Sequence, residues 1–119
     1  MSLQERIPGP RAPAVDLFVS EGSALVTPTG ELDISTAGEL REQLARPDVL
    51  DARHVCVDLN TVGFLDSTCI DLIVTACKRI RATGGSFNVA CDARGTVRRR
   101  FEVDGLVEYL QVGETCPPG

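Results

Sequence analysis

A carboxylate and two hydroxyls stand side by side in the segment Asp66-Ser67-Thr68. The segment follows a buried-strand pattern over residues 54–59 and leads into an amphipathic helix pattern over about 67–82. A helix that starts just after a strand exposes hydroxyls and free backbone N–H groups. Ser67 is therefore either the cap of this helix or an exposed hydroxyl that a kinase can modify.

Patterns typical of catalysis are missing from the sequence. It contains no glycine-rich phosphate loop and no G-x-S-x-G nucleophile elbow. His54 is the single histidine and begins a strand pattern, so we interpret it as structural. The acidic residues at loop ends and helix starts include no pair that spacing fixes at catalytic distance; they are Asp33, Asp58, Asp66 and Asp71. We expect no enzyme and no catalytic residue.

The five cysteines form no C-x-x-C pair, and one histidine leaves too few ligands for a zinc site. We therefore expect no metal and no cofactor. Four of the cysteines lie in apolar strand or helix patterns, which predicts reduced, buried thiols; the five are Cys56, Cys69, Cys77, Cys91 and Cys116. Cys69 lies in the first helical turn, where a thiol pKa can be depressed, and a redox-sensing role for it is a separate hypothesis.

Composition narrows the class of protein further. A chain of 119 residues with 43% hydrophobic residues suits one globular domain. The net charge of −5 argues against a nucleic-acid partner, because such binding depends on basic side chains. No apolar run is long enough to span a membrane, and residues 1–13 lack the apolar core of a signal peptide. We expect a cytoplasmic protein without a membrane partner.

Local patterns predict the order β-β-α-β-α-β-α-β between a flexible arm, residues 1–13, and a flexible tail, residues 114–119. An opening hairpin over 16–27 precedes a helix that Thr36 and Glu39 start with a capping box and that ends at residues 46–48. The later elements are a strand at 54–59, a helix at 67–82, a strand at 86–91, a helix at 95–103 that closes at Gly105, and a strand at 107–112. Right-handed crossovers then require a mostly parallel sheet with helices packed on it.

Several ordered segments resemble STAS-domain proteins, and in particular the bacterial anti-anti-sigma factors. They are residues 30–37 (GELDISTA), 55–59 (VCVDL), 62–68 (VGFLDST), 80–85 (IRATGG) and 97–106 (VRRRFEVDGL). The resemblance extends from about Val15 to Val112. It implies an α/β fold of the STAS type, a single domain over residues 14–113 with an N-terminal antiparallel hairpin and a mostly parallel sheet.

The resemblance also implies a phosphorylation switch. In that family the unmodified domain binds an anti-sigma factor, a Ser kinase of the histidine-kinase-like ATPase fold, and so releases the sigma factor. The kinase phosphorylates a serine at the position of Ser67, and a metal-dependent Ser/Thr phosphatase removes the phosphate. The implied partner-binding residues are Asp33, Asp66, Ser67, Thr68 and Cys69. Cys69 stands where the family usually has glycine, and the chain has no room for the C-terminal helix that such domains commonly carry.

Other classes of function remain open on the sequence. A STAS accessory subunit of a transport or signalling complex would need no phosphorylation of Ser67. A redox-modulated variant of the switch would use Cys69. A nucleotide-binding domain is the third class, and the missing phosphate loop argues against it.

Overall fold

The computed structural model describes residues 15–117. The arm predicted for residues 1–13 and the last two residues of the predicted tail lie outside this range. Seven strands and four helices form within it. They are β1 (Val15–Ser20), β2 (Ser23–Pro28), β3 (Gly30–Leu32), α1 (Ile34–Leu44), α2 (Pro47–Leu50), β4 (His54–Asp58), β5 (Val62–Leu65), α3 (Ser67–Ala82), β6 (Ser86–Ala90), α4 (Thr96–Val103) and β7 (Val112–Gly113).

The main sheet has five strands in the order β1-β2-β4-β6-β7. β1 and β2 are antiparallel, and every other neighbouring pair is parallel. The hairpin closes through Glu21 and Gly22, whose φ angles of 51° and 84° match the turn that suits twisted strands. The predicted fold class, an α/β domain with an opening hairpin and a mostly parallel sheet, is confirmed.

The two faces of the main sheet differ in their cover. Val26, Val57 and Val89 are fully buried and belong to the core cluster that includes the apolar stripes of α1 and α3. Side chains alternate along a strand, so their neighbours point to the opposite face. We call this second face the open face. It carries two rows in register, Phe18-Leu25-Cys56-Asn88 and Ser20-Ser23-His54-Ser86.

A second sheet pairs β3 with β5 in parallel, with Leu32 opposite Leu65. Neither strand is predicted from the sequence, because three or four residues are too few to show a period of two. Each strand is followed by a single residue and then a helix. The small sheet therefore brings the starts of α1 and α3 together.

The start of α1 differs from the prediction. Asp33 is the cap: its Oδ1 accepts a bond from the Ser35 N–H at 2.9 Å, and the Thr36 hydroxyl accepts one from the Asp33 N–H at 3.0 Å. The helix consequently begins at Ile34. The predicted Thr36–Glu39 capping box is wrong, since the Glu39 carboxylate instead accepts a bond from the Val15 N–H at 3.0 Å.

The C-terminal part follows the prediction only at first. α4 ends before Gly105, whose φ of 71° lies in the left-handed region. The Leu106 N–H donates to the Phe101 carbonyl, as expected where a glycine in this conformation closes a helix. The predicted strand at 107–112 is wrong, because residues 107–111 form turns and only Val112–Gly113 pair with β6. The short helix α2 also begins at Pro47, where the sequence predicts only an end; proline suits a first helical position.

A disulfide joins Cys56 in β4 to Cys116. The expectation of five reduced thiols is therefore wrong for this pair, because two residues far apart in sequence meet on the open face. Cys69, Cys77 and Cys91 are free and buried, as expected. The disulfide also tethers residues 114–117, in contrast to the free tail that the sequence predicts.

Candidate functional site: the paired helix starts

The starts of α1 and α3 lie next to each other. Leu32 and Leu65 are partners in the small sheet, so Asp33 and Asp66 follow at the same level of the two strands. The Asp66 N–H donates to the Leu32 carbonyl at 3.0 Å. Both aspartates are helix N-caps. Two helix N-termini, each with a positive dipole end and a capping carboxylate, thus share one surface.

Asp66, and not Ser67, caps α3. The Asp66 Oδ1 accepts a bond from the Cys69 N–H at 3.0 Å, which is the usual bond of a cap to the third helical residue. Ser67 is the first residue of the helix and is exposed, as is Thr68. The interpretation of Ser67 as the helix cap is therefore wrong. Its hydroxyl is left available for chemistry at a helix start.

The Asp33 carboxylate is held in its charged form. The Ser35 hydroxyl donates to Asp33 Oδ1 at 2.6 Å, and the Ser35 N–H donates to the same oxygen. These bonds hold the pKa of Asp33 below its usual range, with the hydroxyl making the largest contribution. A fixed negative charge therefore stands beside the start of α1 at neutral pH.

Cys69 fills the space between the two helix starts and does not face solvent. Its side chain is 0% exposed, and its Sγ lies 3.8 Å from the Asp33 carbonyl oxygen. Burial raises the pKa of the Cys69 thiol to about 12, and the Asp66 carboxylate adds to the shift. Because the Cys69 side chain is buried, it does not offer a direct contact to a partner. A redox-sensing role for it is also contradicted, since a reactive thiol must be exposed and easily ionised.

Two exposed apolar side chains, which the sequence did not reveal, lie within two residues of the two caps. Ile34 is 80% exposed at the first position of α1, and Phe64 is 48% exposed in β5, one residue before Leu65. Ile34 lies outside the buried stripe of its helix, which consists of Ala37, Leu40 and Leu44, and that irregularity is the signal that could have revealed it. We call the whole set the helix-start surface: Asp33, Ile34, Phe64, Asp66, Ser67 and Thr68.

The helix-start surface suits binding better than catalysis. Exposed apolar side chains beside polar and charged groups are typical of protein interaction sites, where an apolar centre has a polar rim. His54 lies elsewhere, on the open face, where its Nδ1 and the Ser86 hydroxyl are 2.6 Å apart. Residues 15–117 contain no cluster of three metal-ligating side chains, and no helix in this range is both long and apolar enough to cross a bilayer.

Replacing Asp66 by Ala tests which residue caps α3. We expect a loss of about 1 kcal/mol in the free energy of unfolding, because the Cys69 N–H loses its acceptor. Urea denaturation measures the loss. Asp66→Asn keeps a capping oxygen and should recover most of the stability. A loss of the same size in Ser67→Ala would contradict the assignment, because that variant leaves the cap in place.

Comparison with known proteins places this fold in a family. The family model of the STAS domain matches residues 14–117. The anti-sigma-B factor antagonist of Bacillus subtilis (strain 168) is 28% identical over 105 residues, covering 88% of this chain and 94% of the relative. The protein of that name from Staphylococcus aureus (strain NCTC 8325 / PS 47) is 31% identical over 85 residues, covering 71% and 78%. The chain belongs to the STAS-domain family of anti-sigma factor antagonists.

Solved structures agree with this fold. An anti-sigma factor antagonist from Mycobacterium paratuberculosis superposes with a TM-score of 0.76 at 21% identity, over 92% of both chains. The antagonist SpoIIAA in its unphosphorylated form gives 0.71 at 20% identity, over 86% of this chain and 89% of that one. A sulfate transporter family protein from Wolinella succinogenes gives 0.63 at 14% identity, over 82% and 80%. Antagonists of this family are regulatory binding proteins and not enzymes.

Proposed function

We propose that the chain is an anti-sigma factor antagonist whose unphosphorylated form binds an anti-sigma Ser kinase through the helix-start surface and so frees a sigma factor. Phosphorylation of Ser67 ends the binding, and a metal-dependent Ser/Thr phosphatase restores it. The names of the relatives support the antagonist role. SpoIIAA has been solved in both unphosphorylated and phosphorylated forms, which supports control by a phosphate. This cycle of binding, phosphorylation and dephosphorylation would take place in the cytoplasm, where sigma factors act.

The observation that carries this proposal is the position of Ser67. It is exposed at the first residue of a 16-residue helix whose cap is the neighbouring Asp66. Phosphorylation of Ser67 therefore leaves the capping hydrogen bond between Asp66 and Cys69 intact. The free N–H groups and the dipole of the helix start favour an anion there. The modified domain should keep its structure and change only what it presents to a partner.

The chemistry of the partner follows from the same surface. Ile34 and Phe64 offer apolar contact, and such side chains commonly dominate the affinity of an interface. A kinase that has just modified Ser67 also holds nucleotide phosphates close to it. A phosphoserine of about −1.5 to −2 charges then meets like charge on the kinase and on Asp66. Phosphorylation of Ser67 by the bound kinase thus weakens the complex between the kinase and this domain.

The site of modification is tested with the cognate anti-sigma kinase and ATP. We expect mass spectrometry to find one phosphate, on Ser67, and none on the Ser67→Ala variant. Thr68→Ala is the matched control, since Thr68 is also exposed in the first turn of α3, and it should be modified normally. Phosphate on Thr68, or unchanged modification of Ser67→Ala, would overturn the proposal.

The alternative role is that of an accessory subunit in a transport or signalling complex, in which Ser67 is never phosphorylated. The domain shares its fold with a sulfate transporter family protein, so an experiment should distinguish this role from the antagonist role. Pull-down from native cells distinguishes the two. An anti-sigma kinase as the main partner supports the proposal, and a membrane transporter as the main partner contradicts it.

A further inference from the structure

The open face of the sheet holds a cavity that the helix-start surface does not use. Its volume is about 480 Å³, within the range of small-molecule sites. Parallel sheets are usually covered on both faces. Here the cover over the row of Leu25, Cys56 and Asn88 comes from the chain after β7, whose Cys116 and Pro117 line the cavity together with this row.

The C-terminal segment, residues 114–117, has few attachments to the sheet. Gly113 is still held, because its carbonyl accepts a bond from the Cys91 N–H at 2.8 Å. Beyond it, the Glu114 carbonyl accepts one exposed hydrogen bond from the Asn60 amide at 3.1 Å. The other attachment is the Cys56–Cys116 disulfide, across Cα atoms 5.8 Å apart. The disulfide is thus the stronger of the two.

Cys116, bonded to Cys56, is also the cysteine that solvent reaches most easily. Cys116 is half-buried, Cys56 is 7% exposed, and both line the cavity. Burial raises the pKa of the Cys77 and Cys91 thiols, as it does for Cys69. Thiol–disulfide exchange needs an accessible sulfur and a thiolate. Redox chemistry in this chain is therefore confined to one pair.

We propose that Cys56 and Cys116 form a reversible redox modification site that fastens the C-terminal segment over the open face and releases it on reduction. The site lies away from Ser67, and the proposal does not depend on the function assigned to the helix-start surface. Exposed disulfides are the labile and regulatory ones. The disulfide joins a core strand to a weakly attached segment. When it is reduced, the segment can move away and the cavity that it covers becomes exposed.

The exchange balances with reagents of common classes. The thiolate of a dithiol reductant attacks Cys116 Sγ, the S–S bond breaks, and Cys56 leaves as a thiolate that takes up a proton. The second thiol of the reductant resolves the mixed disulfide, which frees the Cys116 thiol and leaves the reductant as its own disulfide. Hydrogen peroxide reverses the change by removing two electrons and two protons, and it is reduced to two molecules of water.

NMR relaxation and thiol alkylation of the native protein test the proposal. In the oxidised chain we expect no alkylation and backbone order parameters at residues 114–116 close to the value of rigid backbone, about 0.85. After dithiothreitol, Cys116 should be alkylated first, and the order parameters at 114–116 should fall below about 0.6 as the segment is released. Cys69, Cys77 and Cys91 should be alkylated only after denaturation. Hydrogen peroxide should restore the starting pattern.

Two variants separate the disulfide from the hydrogen bond beside it. Cys116→Ser should show order parameters below about 0.6 at 114–116 without any reductant. Asn60→Ala removes the bond to Glu114 but keeps the disulfide, and it should stay close to the oxidised pattern. Should Cys116→Ser fail to fold, the reduced natural chain gives the same measurement. Five free thiols in the air-oxidised protein, a disulfide that excess dithiothreitol leaves intact, or unchanged order parameters at 114–116 on reduction would each overturn the proposal.

Discussion

Phosphorylation of Ser67 is expected to weaken binding of the anti-sigma kinase by about 100-fold, which corresponds to roughly 2.7 kcal/mol. The loss arises because a doubly charged group must be desolvated in a contact that Ile34 and Phe64 make apolar and that already contains two carboxylates. Calorimetry with the phosphorylated and unmodified proteins measures it. Ser67→Glu should reproduce part of the effect, since it adds one charge.

The fold should hardly change in the same experiment. An anion at the start of α3 adds about 0.3–1 kcal/mol of stability or leaves it unchanged, because the dipole favours negative charge there. Thr75→Glu is the control: Thr75 is exposed two turns further along the same helix, and the added charge should leave binding almost intact. Equal losses from both glutamates would mean that net charge, and not the position of Ser67, governs the complex. Unfolding on phosphorylation would also contradict the mechanism.

Ile73→Ala is expected to lower the free energy of unfolding by about 2–5 kcal/mol. Ile73 is 0% exposed in the middle of α3 and belongs to the same core cluster as Leu40 and Val57. Truncation leaves a cavity under the helix that presents Ser67. Since small domains are stable by about 5–15 kcal/mol, the loss is a large share of the total. Urea denaturation measures it.

Ile34→Ala is the matched control, since it makes the same substitution on an exposed site. Its stability should stay within about 0.5 kcal/mol of the natural chain. Its affinity for the kinase should fall, because Ile34 is proposed to contact the partner. A stability loss in Ile34→Ala as large as in Ile73→Ala would contradict the assignment of one isoleucine to the core and the other to the surface.

Helical periodicity made α3 predictable. The spacing of Ile70, Ile73, Cys77 and Ile80 identified its buried face, since the helical period repeats within one segment. The hairpin was predictable for the same reason, because its turn and its strands are adjacent in the chain. The position of Ser67 at a helix start, and hence its availability to a kinase, also came from local pattern together with the family resemblance.

Long-range pairing accounts for what the sequence missed. The small sheet of β3 and β5 joins strands about thirty residues apart, and neither has a pattern of its own. The cap of α1 moved from Thr36 to Asp33 because side-chain bonds, and not residue type, select among neighbouring candidates. The contact between Cys56 and Cys116 spans 60 residues and has no local signature.

By itself the sequence determined the α/β class, the order of the main elements and the position of Ser67 at a helix start, because each depends on residues close along the chain. Only the tertiary structure decided that Asp66 is the cap, that Cys69 is buried between two helix starts and that Ile34 and Phe64 are exposed. These features depend on which side chains meet after two strands pair. Periodicity within one segment does not predict which side chains of different elements come into contact.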